Sequence, residues 1–172
     1  MISKELMRLF IAINLNEEMK ESLMDIQDAM RDCGIYGRET TAENMHLTLA
    51  FIGDYDDPDY VKRIISSIDI RPFDISLSGV GAFRDLWWVG IKDSPPLHAV
   101  VRKLRRALSD AGIPFDRKRF RPHITIIRKA DGDLEDISDA GLKSHTDVSM
   151  TVDHISLMRS ERGKHGMIYT EL

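Results

Sequence analysis

One short pattern occurs twice in this chain and limits the fold more than any other feature. His46-Leu47-Thr48-Leu49 and His123-Ile124-Thr125-Ile126 share the form His-x-Thr-x, with an apolar residue at each x. Side chains alternate faces along a strand, so residues two apart share one. Each copy therefore predicts a strand with histidine and threonine on one face and two aliphatic residues on the other. The histidines lie 77 positions apart (123 − 46) in a chain of 172. That spacing predicts a duplicated unit in which each half contributes one imidazole.

The flanking segments support a repeat. Residues 8–15 form an apolar run that suits a strand buried on both faces. Asn16 can cap a helix whose stripe is Leu23, Ile26, Gln27 and Met30, with Gly34 as its stop. Residues 35–44 read as irregular, 46–52 as the first motif strand and 53–58 as a loop. A helix follows over 58–67 with Val61, Ile64, Ile65 and Ile68 inward, then an alternating strand over 73–80. The second half repeats the order: strand 86–91, helix 97–111, motif strand 123–128, a weak helix within 131–143 and a long strand over 148–158. After a loop at 160–166, residues 167–172 are expected to pair with that strand.

No linker rich in Pro, Gly or Ser separates the halves. The expectation is one α+β domain over 1–172, built as two lobes (about 1–83 and 84–172) with outer helices, facing each other across a groove. The hydrophobic share of 42% is enough for a packed interior. No apolar run approaches the ~18 residues of a membrane span. Cys33 is the sole cysteine, so no internal disulfide can form. The first residues include Glu5 and lead into a strand, unlike a signal peptide. These features predict a soluble cytoplasmic protein with no membrane association.

Net charge is −4, but the charge is uneven. Ten basic residues fall between 101 and 129 against Asp110 and Asp116, giving +8 there and −12 elsewhere. Local field steers an anionic ligand more than net charge does. Arg102 to Arg106 fits the solvated face of a helix as well as a binding surface, whereas Arg117 to Arg128 fits a phosphate-facing segment.

Histidine changes charge near neutrality, at an ordinary pKa of ~6.5. Two imidazoles across a groove can therefore act together, one taking a proton from water and the other giving one to a leaving oxygen. Phosphodiester cleavage needs both. Thr48, Thr125 and Arg128 are placed to hold the nonbridging oxygens. A strained cyclic phosphodiester suits such a site, and no metal is called for. Zinc would want a third protein ligand, and neither motif contains an acidic or sulfur residue. From the residues alone, either histidine could be acid or base. His98, His145 and His165 are read as surface or loop residues, and His154 as a strand residue able to reach the groove. Trp87 and Trp88 alternate faces, which puts one in the core and leaves the other free to stack on a base.

The paired motifs with their flanks, Asn44 to Gly53 and Phe120 to Arg128, resemble the two signatures of the two-histidine phosphoesterase superfamily. Within it the chain is similar to the RNA 2′,3′-cyclic phosphodiesterases, also called 2′-5′ RNA ligases. Arg8 to Ala12 resembles their opening strand, and Ile155 to Ser160 with Gly166 and Tyr169 their closing segment. The resemblance implies a bilobal fold with pseudo-twofold symmetry. It implies hydrolysis of an RNA 2′,3′-cyclic phosphate end to a 2′-phosphate, with no cofactor and no metal. His46 would be the proton donor, His123 the proton acceptor, and Thr48, Thr125 and Arg128 the substrate-binding residues. The expected partners are RNA ends, among them tRNA fragments or small cyclic nucleotides, met by a monomer. A 2′-5′ ligase, a 2′,5′-oligonucleotide phosphodiesterase and a non-catalytic RNA-end-binding module are the alternatives.

Overall fold

Leu9, Ile11 and Ile13 are fully buried on one face of β1 (Met7–Asn14), while Phe10 and Ala12 pack with Met158 on the other. An apolar run buried on both faces belongs in the interior of a sheet, and β1 lies inside a four-stranded one. The computed structural model describes residues 5–133 and 147–172. After β1 come α1 (Glu17–Asp32), β2 (Tyr36–Glu39), a 3-10 turn (Ala42–Asn44), β3 (His46–Tyr55), α2 (Pro58–Ser66) and β4 (Phe73–Phe83). Then follow β5 (Leu86–Ile91), α3 (Pro95–Asp110), β6 (His123–Asp131), β7 (Ser149–Val152), β8 (Ser156–Gly163) and β9 (Gly166–Glu171).

Among the described residues, α1, α2 and α3 each start on a side-chain cap. Asn16 accepts from the Met19 amide at 2.9 Å, Asp57 from Tyr60 at 3.1 Å and Ser94 from Leu97 at 3.3 Å. These satisfy amides that the first turn leaves without partners. The predicted stripe of α1 is buried, and Gly34 follows it at φ +84°, the left-handed region that glycine enters without strain.

The strands form two antiparallel sheets, ordered β3-β1-β8-β9 and β2-β6-β5-β4-β7. Within each, a motif strand lies beside the opening strand of its own half: β3 beside β1, β6 beside β5. The third strand comes from the other half. β8 completes the sheet of β1, and β4 completes the sheet of β5. The sheets therefore do not coincide with residues 1–83 and 84–172. Among the described residues, one continuous core joins both sheets and the helices α1, α2 and α3.

Several local expectations change. Residues 36–39 are a strand, because β2 pairs with the edge of β6. The first motif strand runs on through Gly53 to Tyr55, its register slipping twice against β1. The long strand expected over 148–158 is two strands in different sheets: β7 pairs with β4 and β8 with β1, and Asp153-His154-Ile155 crosses between them. Hydropathy runs through that crossing because Val152 and Ile155 are both buried. The loop expected at 160–166 is a tight hairpin, with Lys164 and His165 between the paired Gly163 and Gly166. The weak helix expected within 131–143 falls almost wholly outside the described residues, as does His145.

Candidate active site

Alternation along the motif strands sets the site. Leu47, Leu49, Ile124 and Ile126 are at most 1% exposed, which leaves His46, Thr48, His123 and Thr125 half-buried on the opposite faces. His46 Nδ1 lies 2.7 Å from the Asn44 carbonyl, and His123 Nδ1 lies 2.6 Å from the Arg121 carbonyl. A carbonyl only accepts, so both rings carry the proton on Nδ1 and turn Nε2 away from their own backbone. The same device, at the same offset of two residues, orients both imidazoles.

The strands bearing them, β3 and β6, run beside each other where the two sheets meet. The surroundings of the two rings differ. His46 packs between Phe10 (ring centroids 4.8 Å) and Tyr169 (5.1 Å, edge-on). His123 packs edge-on to Phe83 (5.4 Å) and beside Trp88 (6.2 Å). Burial lowers the pKa of His46 most. The Arg128 and His123 charges lower it further, against the hydrogen bond to Asn44, which raises it. His46 thus feels the charges of both Arg128 and His123, but His123 and Thr125 are not among the residues that line the groove beside His46.

Two polar side chains, Gln27 buried and Arg105 partly buried, tie the helices to the motif strands. Gln27, on α1, donates from Nε2 to the Thr40 and Ile126 carbonyls, both at 2.9 Å. Arg105, on α3, donates to the Lys118 carbonyl at 2.7 Å and to the Leu49 carbonyl at 3.3 Å. Leu49 and Ile126 both stand three residues after the motif histidine. Each helix thus holds its own approach loop and the motif strand of the opposite half. Arg105 also lies over Phe115 and Phe120, and burial pushes its guanidinium below its usual range.

His46 and Thr48 line a groove of about 1040 Å³ with Arg8, Phe10, Arg38, Phe51, Arg128, Lys129, Arg162, Met167 and Tyr169 among its walls. Arg128 reaches it by a break in alternation. Ile126 and Ile127 are both buried, and β6 carries one more residue than β2 between Arg128 and Asp131. Lys129 takes up the bulge at φ +52°. Arg8, Arg38 and Arg162 converge from β1, β2 and β8 and were not singled out from sequence. Nothing local marks them, since their meeting depends on the pairing of distant strands.

The remaining basic segment corrects an expectation. Arg117 lies 4.8 Å over Phe115 and donates to Ser109, and the Lys118 carbonyl serves Arg105; neither residue lines the groove, nor do Arg119 and Arg121. On α3, Arg105 turns inward while Arg102, Lys103 and Arg106 are exposed. His98 stacks edge-on to Phe120 at 5.5 Å. His154 is exposed in the β7–β8 crossing and bonds Asp153 at 2.6 Å, away from the groove. Trp87 is 2% exposed, in the core, and Trp88 is the tryptophan beside His123. A Cβ on Gly81 would meet the Trp88 indole at 2.2 Å, so only glycine lets the ring lie there. Among the described residues, no three His, Cys, Asp or Glu side chains group as metal ligands would, and no helix is long and apolar enough to cross a membrane.

Comparisons with known proteins agree on one family. The model of the 2′-5′ RNA ligase superfamily matches residues 21–164. An RNA 2′,3′-cyclic phosphodiesterase of Thermotoga maritima is 34% identical over 131 residues, covering 71% of this chain and 70% of the relative. The crystal structure of E. coli LigT in apo form has a TM-score of 0.79 at 26% identity, over 98% of this chain and 95% of LigT. The complex of LigT with 3′-AMP has a TM-score of 0.77 over the same shares.

Proposed function

This chain belongs to the 2′-5′ RNA ligase superfamily, and on that premise we propose that it hydrolyses RNA 2′,3′-cyclic phosphodiester ends to 2′-phosphomonoesters. The observation that carries the reading is the matched pair of imidazoles, each held by a backbone carbonyl through Nδ1. Two nitrogens presented in this way can give and take protons in one displacement.

In the forward reaction water attacks phosphorus. Its proton passes to Nε2 of neutral His123 as the new P–O bond forms. The bond from phosphorus to the 3′ oxygen breaks, and that oxygen takes the proton from Nε2 of protonated His46. One water is added, and the products are a 3′-hydroxyl and a 2′-phosphate. The histidines finish with their charges exchanged, and solvent resets them. The Thr48 and Thr125 hydroxyls and the Arg128 guanidinium hold the nonbridging oxygens, where charge builds.

Burial, with the Arg128 and His123 charges, lowers the pKa of His46 and so disfavours its imidazolium. An anionic phosphate beside it acts in the opposite sense to Arg128 and favours the imidazolium. Substrate binding thereby loads the acid. The RNA end is met by a single copy of the chain. Trp88 and Phe83 give the terminal base a surface to stack on beside His123.

The test uses a short RNA ending in a 2′,3′-cyclic phosphate, incubated in EDTA with the protein and with its His46→Ala and His123→Ala variants. A 2′-phosphate product that both variants fail to form is the expected result. Near-normal rates in either variant, or a 3′-phosphate product, would overturn the mechanism.

A further inference from the structure

The groove carries more positive charge than a cyclic phosphate needs. Five cations line it, Arg8, Arg38, Arg128, Lys129 and Arg162, and no Asp or Glu is among the lining residues. No ion pair among the described residues involves any of the five. A cyclic phosphodiester bears one negative charge, and Arg128, close enough to depress His46, is placed to meet it. Four cations remain.

Their placement works against the empty fold. Arg38 and Arg128 stand directly opposite each other in the β2–β6 register. Like charges so placed destabilise a sheet. Lys129 adds a third charge from a left-handed backbone that a lysine adopts at a cost. Arg8 lies 5.1 Å over the Phe51 ring, which orients its guanidinium without neutralising it. Unneutralised cations drawn from four strands (β1, β2, β6 and β8) into one concavity suit a bound polyanion. At about 1040 Å³ the groove stands at the upper end of the range of small-molecule sites.

We propose that Arg8, Arg38, Lys129 and Arg162 form a subsite for the phosphodiester adjoining the terminal nucleotide, so that the preferred substrate is the end of an RNA strand and not a free cyclic mononucleotide. The proposal rests on the cyclic phosphodiesterase reading above and narrows its substrate class. The subsite lies on the His46 side of the cleft, where the terminal ribose holds its departing 3′ oxygen. From that ribose the strand continues through its 5′ oxygen to the next phosphate, which the arginines receive.

Three substrates with the same terminal nucleoside test this. One is the 2′,3′-cyclic mononucleotide. One is the dinucleotide ending in the cyclic phosphate. The last is that dinucleotide with an uncharged methylphosphonate as its internal linkage. The wild-type protein is expected to favour the charged dinucleotide by about tenfold or more in kcat/KM over both others, the size of one charge-assisted contact. The Arg8→Gln/Arg38→Gln double variant should bring all three values together. Equal kcat/KM on the charged and methylphosphonate dinucleotides in the wild type overturns the subsite while leaving the cyclic phosphodiesterase reading in place. That comparison needs no variant to fold. Hydrolysis of none of the three by the wild type overturns the activity and the subsite together.

Discussion

The two half-sites hold their imidazoles in the same way and surround them differently. Around His46, Phe10 and Tyr169 pack against the ring, burial disfavours its charge, and Arg128 adds to that effect. Around His123 the neighbours are Phe83, 39% exposed, and Trp88. Duplicated strands thus supply two equivalent bases, and the side chains added from elsewhere make them unequal. Acid–base catalysis needs one group protonated and the other neutral at the start; burial disfavours the charge on the proposed acid, His46, so the bound phosphate has to reverse that bias.

Replacing either histidine should have the largest effect. His46→Ala and His123→Ala should each cost about 10²–10⁴ in kcat with KM changed only severalfold, in single-turnover assays. The comparison breaks if a substrate with sulfur at the bridging 3′ position fails to separate them. A thiolate leaves with little need of a proton, so it should restore much of the rate to His46→Ala and none to His123→Ala. Equal rescue, or rescue of His123→Ala, would exchange the two roles.

Removing Arg128 comes next. Arg128→Gln should raise KM on the order of tenfold through the lost phosphate contact. It should also lift the pKa of His46, because a neighbouring cation lowers it. The limb of the kcat/KM profile that reports His46 should move to higher pH. In the wild type the same limb should lie at higher pH in kcat than in kcat/KM, since bound phosphate favours imidazolium. A limb at one pH in both would mean that the substrate does not load the acid.

Gly81→Ala should act on the His123 side alone. The added Cβ displaces the Trp88 indole, and we expect KM for RNA to rise about threefold, in keeping with a weakened stack. The His46 limb of the pH profile should stay where it is. A shift in that limb would show that the half-sites are coupled through the aromatic wall.

The smallest effect concerns stability. The folded pKa of His46 lies below its unfolded value. Above about pH 6.5 neither state protonates this ring, and it contributes no pH dependence. As pH falls through that value the unfolded chain takes the proton and the folded chain resists, so stability is lost toward acid. His46→Ala should flatten the acid side of a plot of melting temperature against pH, and His46→Gln should do the same. An unchanged slope in both would place the acid sensitivity elsewhere.

What the sequence made legible follows from the range of the physics involved. The motif faces, the three helices and their caps depend on neighbours within a few positions, and Asn16, Leu23 and Ile124 lie where periodicity puts them. The exchange of β4 and β8 between sheets depends on partners far along the chain, so the halves looked self-contained. Arg105 reads as one more charge on a helix until its carbonyl partners on another strand are known. Arg128 was legible as a basic residue near the motif, but its route to the groove depends on a bulge opposite β2. Arg8, Arg38 and Arg162 carried no local signal, because three strands must be assembled before they meet.

The traded strands also bear on the order of assembly. β1 and β3 are made early, yet the sheet they open gains β8 and β9 only from the last stretch of chain described. Tyr169, which walls the His46 ring, sits on β9. An emerging chain therefore carries both motif strands for some time before it holds a finished groove. The wall around His46 is therefore among the last parts of the described chain to be set in place, and the groove is unfinished until its closing hairpin docks.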